Sequence, residues 1–238
     1  MLRTFTGVGV FLPDGLTLGL NHLIGIGRNY AEHAKEQGAA VPDVAGGPMV
    51  FTKNAAAGAL DGDDIIVPKV CQDREQVDFE GELAVVIGAA TRDVSKHDAF
   101  KHVLGYCVAN DVSARWWQKS GSGGQFFRGK SFDTFCPLGP GVVPTSSIAN
   151  PNALRITTKV NGQTMQDCST GEMIFDVATL VSDLSRGMTL LPGTVILTGT
   201  PSGVGMARTP PVWLKDGDVV EIAIEKIGVI RNRVVFEK

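Results

Sequence analysis

Short apolar segments separated by turn-forming residues run along the whole chain, and this pattern constrains the fold more than any other feature. Glycine accounts for 29 of the 238 residues, roughly 12% against an average of about 7%. Glycine and proline bound runs of about four to eight residues rich in valine and isoleucine, which is typical of strands. We expect strands within residues 3–12, 23–27, 83–87, 103–109, 156–160, 163–166, 194–197, 219–224 and 229–235. The sequence therefore predicts a strand-rich fold.

Local signals place turns and a helix between these strands. Pro13-Asp14-Gly15 predicts a turn, because proline fixes φ, aspartate caps the backbone and glycine adopts positive φ. Asn161-Gly162 predicts a two-residue hairpin. The best helix is expected over residues 177–186, with Asp176 as its N-cap and Gly187 at its end.

Charge and cysteine usage exclude several classes of protein. The net charge is −3 without a basic run, so nucleic acid is not an expected partner. No apolar run approaches the roughly 18 residues of a membrane span, and the start of the chain lacks a small-residue cleavage site for secretion. The cysteines lie far apart without a C-x-x-C pair, so we expect reduced thiols rather than a zinc site or disulfides. They are Cys71, Cys107, Cys136 and Cys168.

A pair of glutamates leads into the apolar segment 83–87. Side chains alternate along a strand, so Glu80 and Glu82 would point the same way, with Gly81 allowing a close approach to the backbone. Asp111 follows the next apolar segment as a third carboxylate. Three carboxylates without histidine or cysteine suit a hard ion such as Mg²⁺ or Mn²⁺. The alternative is that the glutamates lie on a solvated face of an edge strand.

Helical spacing over residues 111–118 would place Asp111, Arg115 and Gln118 on one face. That face would present a metal ligand, a guanidinium that fits a carboxylate and an amide donor. The alternative is a surface Asp–Arg pair worth only about 0.3–0.5 kcal/mol. We expect the neighbouring Trp116 and Trp117 to pack rather than take part in chemistry.

Two glycine-containing motifs resemble nucleotide-binding loops. Residues 124–131 match G-x-x-x-x-G-K-[ST], but a Ser/Gly-rich stretch precedes the match and β-leaning residues follow it, so the strand and helix of a phosphate loop are missing. Residues 25–30 carry Tyr30 where a dinucleotide loop needs its third glycine. We expect neither to bind nucleotide. Lys130 is either a solvated lysine or a functional positive charge.

A histidine and a glutamate lie three residues apart in a short helix expected over residues 29–37. His33 and Glu36 would be neighbours on one face. A carboxylate beside an imidazole fixes its tautomer and raises its basicity, as in a water-activating base. The alternative is an exposed pair on a surface helix. The loose segment 38–47 would allow this helix to act as a mobile lid.

Taken together, these segments resemble the fumarylacetoacetate hydrolase family. The matching stretches lie in family order over nearly the whole chain: IGIGRNYAEHAKE, VDFEGELAVVIG, GYCVANDVSAR, RGKSFDTFCPLGP, VNGQTMQD and LTGTPSGVG. The C-terminal segment is most similar to the branch that contains acylpyruvases, oxaloacetate decarboxylases and oxaloacetate tautomerases. The resemblance implies an α+β, mostly β fold, a mixed β-sandwich or β-roll with a few flanking helices, which is usually dimeric. We expect an N-terminal β region with a lid helix over residues 1–55 and a catalytic domain over 56–238, or one continuous domain.

The resemblance also implies roles for individual residues. The ligands of Mg²⁺ or Mn²⁺ would be Glu80, Glu82 and Asp111. The residues that contact substrate would be Arg115, Gln118, Lys130 and Thr200. The catalytic groups would be His33 and Glu36, which activate water, and Lys130. Related sequences often read A-R-D-W-Q, whereas this chain has Trp116 in place of the acidic residue.

The implied activity is metal-dependent chemistry on 2-oxo or 2,4-dioxo acids through a stabilised enolate. C–C bond hydrolysis of an acylpyruvate or fumarylpyruvate and decarboxylation of oxaloacetate are the first expectations. Keto–enol tautomerisation of oxaloacetate is the alternative, and a metal-binding relative without activity is the non-enzymatic one. The expected partners are a small 2-oxo acid and a second copy of the chain, in the cytoplasm or a mitochondrial matrix.

Overall fold

The computed structural model describes residues 1–4, 7–12 and 14–238. In chain order its strands are β1 (Leu2–Thr4), β2 (Gly7–Phe11), β3 (Thr17–Gly19), β4 (His22–Gly27), β5 (Met49–Lys53), β6 (Gly58–Leu60), β7 (Ile65–Val67), β8 (Val77–Asp78), β9 (Gly81–Ile87), β10 (Val103–Asn110), β11 (Ser113–Ala114), β12 (Cys136–Pro144), β13 (Arg155–Val160), β14 (Gln163–Ser169), β15 (Thr194–Leu197), β16 (Val219–Ile224) and β17 (Gly228–Phe236). The α-helices are α1 (Ala31–Glu36), α2 (Arg115–Gln118), α3 (Phe126–Lys130) and α4 (Val177–Leu184). Every segment expected to form a strand contains one.

A central mixed sheet has the strand order β5-β4-β15-β9-β10-β12-β6. The pairs β4–β15 and β6–β12 are parallel, and the other pairs are antiparallel. All residues of β9 are buried. Leu83, Val85 and Ile87 belong to one core cluster, whereas Ala84 and Val86 belong to another. Because side chains alternate along the strand, these clusters lie on opposite faces of the sheet.

A second sheet, β14-β13-β16-β17-β7, packs on one face of the central sheet. Its hairpin turns at Asn161 and Gly162, with φ of 50° and 81°, as the sequence predicts. The sheets approach closely at Gly81, where an added Cβ would lie 2.2 Å from Oγ1 of Thr158. The mixed β-sandwich with short flanking helices is therefore confirmed.

A small antiparallel sheet of β1, β2 and β3 covers the other face of the central sheet. Val8 and Val10 of β2 share a core cluster with alternate residues of β9. The predicted turn before β3 includes Pro13, which lies outside the described residues. Asp14 Oδ1 accepts a hydrogen bond of 3.0 Å from the backbone N–H of Leu16, and Gly15 has a φ of 84°.

The helix after β14 forms largely as predicted. Asp176 Oδ1 accepts a 2.7 Å hydrogen bond from the backbone N–H of Thr179, and the buried stripe of α4 faces the core. Gly187 has a φ of 67°. The helix expected over residues 111–118 is wrong in its first half, because β11 pairs with β8 there and α2 begins only at Arg115.

The N-terminal region shares the central sheet. Strand β4 pairs with β15 and β5 pairs with β4, so both lie in the same hydrogen-bonded sheet as β9. This pairing favours the one-domain alternative over a boundary at residues 55 and 56, and the division into domains stays a prediction. Throughout the described residues, every helix is too short or too polar to span a bilayer.

The four thiols are free and largely inaccessible. Burial raises the pKa of Cys71, Cys136 and Cys168 to about 12 and also raises that of Cys107. Because the thiolate is the reactive form, we expect less than one thiol per native chain to react within minutes with Ellman's reagent at about pH 8. All four should react in guanidinium. Rapid labelling of native Cys107 or Cys136, both 0% exposed, would contradict this burial.

Candidate active site

Two neighbouring strands bring three carboxylates together. Glu82 lies on β9 opposite Ala109 of β10, and the backbone N–H of Asp111 donates a 2.8 Å hydrogen bond to the carbonyl oxygen of Glu80. One carboxylate oxygen from each of Glu80, Glu82 and Asp111 lies within 4.8 Å of the others. Their exposures are 5%, 1% and 0%. The alternative of a solvated edge strand is therefore wrong, since β9 is interior to the sheet.

Two buried lysines bind Glu80 and Asp111, two of the three carboxylates. Lys130 Nζ donates hydrogen bonds to Glu80 Oε2 (2.9 Å), Asp111 Oδ2 (2.6 Å) and Ser113 Oγ (2.8 Å). Lys53 Nζ contacts the other oxygen of Asp111 and donates a 2.7 Å hydrogen bond to the Phe135 carbonyl. Lys130 is 1% exposed, so it is not a solvated lysine.

The segment around Lys130 is not a phosphate loop. Helix α3 ends at Lys130 and strand β12 follows, so no helix begins where a phosphate would bind. Gly129 is needed for a different reason: an added Cβ would lie 2.3 Å from the backbone nitrogen of Gln118. The glycine therefore lets α3 pack tightly on α2 and brings Lys130 to the triad.

The spacing of Asp111 and Arg115 allowed an ion pair between them, but Arg115 binds other side chains instead. Its Nε and Nη2 donate to Asp78 Oδ2 (2.9 and 2.7 Å), and its Nη1 donates to Glu80 Oε1 (2.6 Å) and to Gln118 Oε1 (3.0 Å). Arg115 is 4% exposed, so a surface pair is excluded. Its guanidinium is largely occupied within the protein and positions Glu80.

Burial and charge explain how the carboxylates ionise. Burial alone would raise the pKa of Glu80, but Lys130 and Arg115 lower it well below its usual range. Burial, Asp111 and Glu80 together raise the pKa of Glu82 well above its usual range. Glu82 forms no ion pair with a described residue and accepts one backbone hydrogen bond, from Gly199 (2.7 Å).

The donor set fits a hard divalent cation. Asp78 and the triad supply four carboxylates, against the three cations Arg115, Lys130 and Lys53, so the cluster carries one uncompensated negative charge when all are ionised. Oxygen ligands about 2.1–2.6 Å from a central ion match carboxylate oxygens within 4.8 Å of one another. Glu82 is the carboxylate that a cation would relieve most.

The histidine–glutamate pair is buried beside this cluster. His33 Nδ1 lies 2.7 Å from Glu36 Oε1, and His33 is 3% exposed, so the exposed-pair alternative is wrong. Glu36 Oε2 accepts a 2.8 Å hydrogen bond from the backbone N–H of Gly203. Gln37 Nε2 lies 2.8 Å from His33 Nε2. With the Gln37 amide as donor, His33 carries its proton on Nδ1 and a lone pair on Nε2.

One narrow inner cavity joins these groups. Its volume is about 20 Å³, and its walls include His33, Glu80, Gln118, Lys130 and Thr200. The structure therefore brings residues from each predicted role to one place. The Thr200 hydroxyl is held by the Gly81 carbonyl, to which it donates (2.9 Å), and by the Gln166 amide, from which it accepts (2.8 Å).

Three residues of the site, Asp78, Lys53 and Gln37, are not among those predicted from the sequence. Asp78 precedes Glu80 by two residues, and the same alternation that links Glu80 to Glu82 would have found it. Lys53 ends an ordinary apolar strand, and Gln37 lies just after α1. Only the tertiary structure shows their contacts. Trp116 packs as expected: it lies edge-on to Trp117 and under the Arg74 guanidinium, 4.4 Å from the ring centroid.

The structure defines a class of protein by its fold and its site. The fold is a mixed β-sandwich, and the site is a buried carboxylate triad at the ends of two central strands, beside lysines and a histidine–glutamate pair. The model of the protein family described as "Fumarylacetoacetate (FAA) hydrolase C-terminal" matches residues 22–235. The chain therefore belongs to the fumarylacetoacetate hydrolase family.

Individual relatives agree with this membership. The oxaloacetate tautomerase FAHD2A, mitochondrial, of Bos taurus is 49% identical over 210 residues, which are 88% of this chain. The oxaloacetate tautomerase YisK of Bacillus subtilis (strain 168) is 47% identical over 213 residues, or 90% of this chain and 69% of that protein. This chain spans 65% of the length of the bovine relative.

A solved structure covers the chain fully. Fumarylpyruvate hydrolase from Pseudomonas aeruginosa, in complex with Mn²⁺ and pyruvate, superposes with a TM-score of 0.85 at 29% identity. The match covers 100% of this chain and 99% of that chain. The strand-rich sandwich is thus shared at full length with an enzyme of the family.

Proposed function

We propose that the protein is a Mg²⁺- or Mn²⁺-dependent enzyme that interconverts the keto and enol forms of oxaloacetate. The observation that carries the proposal is that His33 lines one narrow cavity together with Lys130 and Glu80, a member of the buried carboxylate triad. The names of the bovine and bacterial relatives support the choice of reaction. The Mn²⁺ held by the Pseudomonas hydrolase supports the choice of ion.

The residues of this chain divide the work by position. Glu80, Glu82 and Asp111 would hold the ion, which supplies Lewis-acid stabilisation of negative charge at the 2-oxo oxygen. His33 Nε2 accepts the proton from the carbon next to the 2-oxo group, or returns it, while Glu36 holds the Nδ1 proton. A bound substrate would take the place of the Gln37 amide at Nε2.

The cationic and polar side chains orient the substrate. Lys130 places an ammonium beside the triad, where the 2-oxo oxygen gains charge during enolisation. Gln118 and Thr200 supply polar groups on the wall of the inner cavity. Arg115 positions the carboxylates of Asp78 and Glu80, because its contacts to Asp78, Glu80 and Gln118 use most of its donors.

C–C bond hydrolysis of a fumarylpyruvate or acylpyruvate is the second candidate. It is favoured by the full-length similarity to fumarylpyruvate hydrolase and by the His33–Glu36 pair, which can deprotonate water as well as carbon. Decarboxylation of oxaloacetate needs only charge stabilisation at the 2-oxo oxygen and no proton acceptor. These outcomes share one site and differ in what His33 does.

An assay panel decides among them. The purified protein, with Mg²⁺, Mn²⁺ or chelator, is given oxaloacetate, fumarylpyruvate and acetylpyruvate, and ultraviolet absorbance follows the enol form while pyruvate and CO₂ are measured separately. We expect rapid, ion-dependent enol–keto interconversion of oxaloacetate with little pyruvate. Pyruvate formed faster than enol decay would favour the lyase or hydrolase, and no turnover of any substrate would overturn the proposal.

Two further expectations belong with this proposal. We expect a homodimer, which a measurement of the mass of the purified protein in solution tests. Location in the cytoplasm or in a mitochondrial matrix stays a prediction, and the bovine relative is named mitochondrial whereas the other is bacterial.

A further inference from the structure

A second, wider cavity adjoins the inner one. It has a volume of about 460 Å³ and shares with the inner cavity the side chains of Arg28, Gln37, Gln118 and Phe126. Its remaining walls come from Lys119 and the glycine-rich turn after it. A ligand whose reacting end lies at the triad would therefore extend into this outer cavity.

The outer cavity is cationic. Arg28 and Lys119 line it, and none of the described residues in its wall is acidic. Neither side chain forms an ion pair or a side-chain hydrogen bond with any described residue. Partial burial, together with the Arg115 and Arg28 guanidiniums, lowers the pKa of Lys119, which indicates that like charges meet here without a protein anion.

Arg28 is held in an unfavourable backbone conformation. It has a φ of 56°, which is uncommon for residues other than glycine and is strained for a long side chain. The next residue fixes this geometry: Asn29 Nδ2 donates to the carbonyls of Phe175 (2.9 Å) and Thr198 (2.7 Å), and its Oδ1 accepts from the backbone N–H of Phe175 (2.8 Å). The clamp keeps Arg28 at the boundary of the two cavities.

We propose that Arg28 and Lys119 form a subsite for the distal carboxylate of a dicarboxylic 2-oxo acid. The inference rests on the proposed function, which places the 2-oxo acid end at the triad. Arg28 lines both cavities and Lys119 lines only the outer one, so the positive charge continues outward from Lys130. A guanidinium without a protein partner matches a carboxylate through two parallel hydrogen bonds. The subsite selects dianionic over monoanionic substrates.

The kinetic test compares oxaloacetate with its 4-methyl ester, which keeps the reacting carbons and loses the distal charge. The double variant Arg28→Gln/Lys119→Gln removes both cations, and Lys96→Gln, an exposed lysine outside both cavities, is the matched control. We expect kcat/KM for oxaloacetate to fall about 10- to 100-fold in the double variant and that for the ester to change less than about twofold. Equal losses for both substrates would overturn the subsite.

A binding test separates the subsite from the reaction. Malate and lactate are both 2-hydroxy acids that cannot enolise, and only malate has the distal carboxylate. With Mg²⁺ present, calorimetry should show malate binding at least about tenfold more tightly than lactate to the parent protein, and equally to the double variant. This result supports the subsite even if oxaloacetate is not turned over, which would overturn the proposed function alone. Equal binding of malate and lactate to the parent protein would overturn the subsite.

Discussion

Glu82→Gln should abolish ion-dependent turnover and make the ion-free protein more stable. Glu82 is buried beside Asp111 and Glu80 and has no cationic partner among the described residues, so its charge opposes folding until an ion binds. The amide oxygen of glutamine can still accept the hydrogen bond from Gly199. We expect turnover to fall about 10³-fold or more, since Lewis-acid stabilisation amounts to several kcal/mol.

The same variant gives two readouts that do not depend on activity. Calorimetric affinity for Mn²⁺ should fall at least about 100-fold, because even residues around metal ligands contribute 10–100-fold. In chelator, Tm should rise by about 2–4 °C for each kcal/mol of repulsion removed. Glu75→Gln, the same change at an exposed position, is the control and should alter neither quantity. Unchanged Mn²⁺ affinity in Glu82→Gln would exclude Glu82 as a ligand.

Asp111→Asn is expected to behave oppositely in the ion-free protein. Asp111 accepts from both Lys53 and Lys130, so removing its charge leaves two buried ammoniums with a weaker partner. The free energy of unfolding should fall by about 3 kcal/mol or more, which chemical denaturation in chelator measures. A stabilised Asp111→Asn protein would contradict the arrangement of charges described for the triad.

The sequence predicts this site where its residues are close along one strand. Alternation alone places Glu80 and Glu82 together, and helical spacing alone pairs His33 with Glu36. Asp111 also reaches the site, but from the end of β10 rather than from a helix. Its position follows from the antiparallel register of β9 and β10, which no local pattern encodes.

The partners of the cations depend on long-range pairing and could not be predicted. Lys53 reaches Asp111 because its strand, β5, pairs with β4, and β4 joins the central sheet by pairing in parallel with β15. Strands β4 and β15 are far apart in the sequence. Arg115 is committed to Asp78 because β8 pairs with β11 just before α2. The glycine-containing segment after β15 also positions carboxylates through long-range contacts. The backbone N–H groups of Gly199 and Gly203 donate hydrogen bonds to Glu82 and Glu36, respectively.

His33→Ala should separate the three reactions that the site can support. Keto–enol interconversion needs a proton acceptor at carbon and hydrolysis needs one at water, so both should fall by about 10²- to 10⁴-fold. Decarboxylation of oxaloacetate requires neither, so the rate of CO₂ release should fall less than about tenfold. Enol absorbance, pyruvate and CO₂ are measured on the same samples, with saturating Mg²⁺.

Two further variants make the result specific to the His33–Glu36 pair. His97→Ala removes a histidine whose side chain is 89% exposed and whose one partner among the described residues is Asp98, so all three rates should stay unchanged. His33→Gln keeps most of the buried volume and should repeat the losses of His33→Ala, which separates the lost base from a cavity effect. Because Glu36 contacts Nδ1 and Gln37 contacts Nε2, Glu36→Gln should lower the proton-transfer rates and Gln37→Ala should leave them within about tenfold. Equal losses of all three reactions in His33→Ala would show that His33 positions the substrate rather than moving a proton.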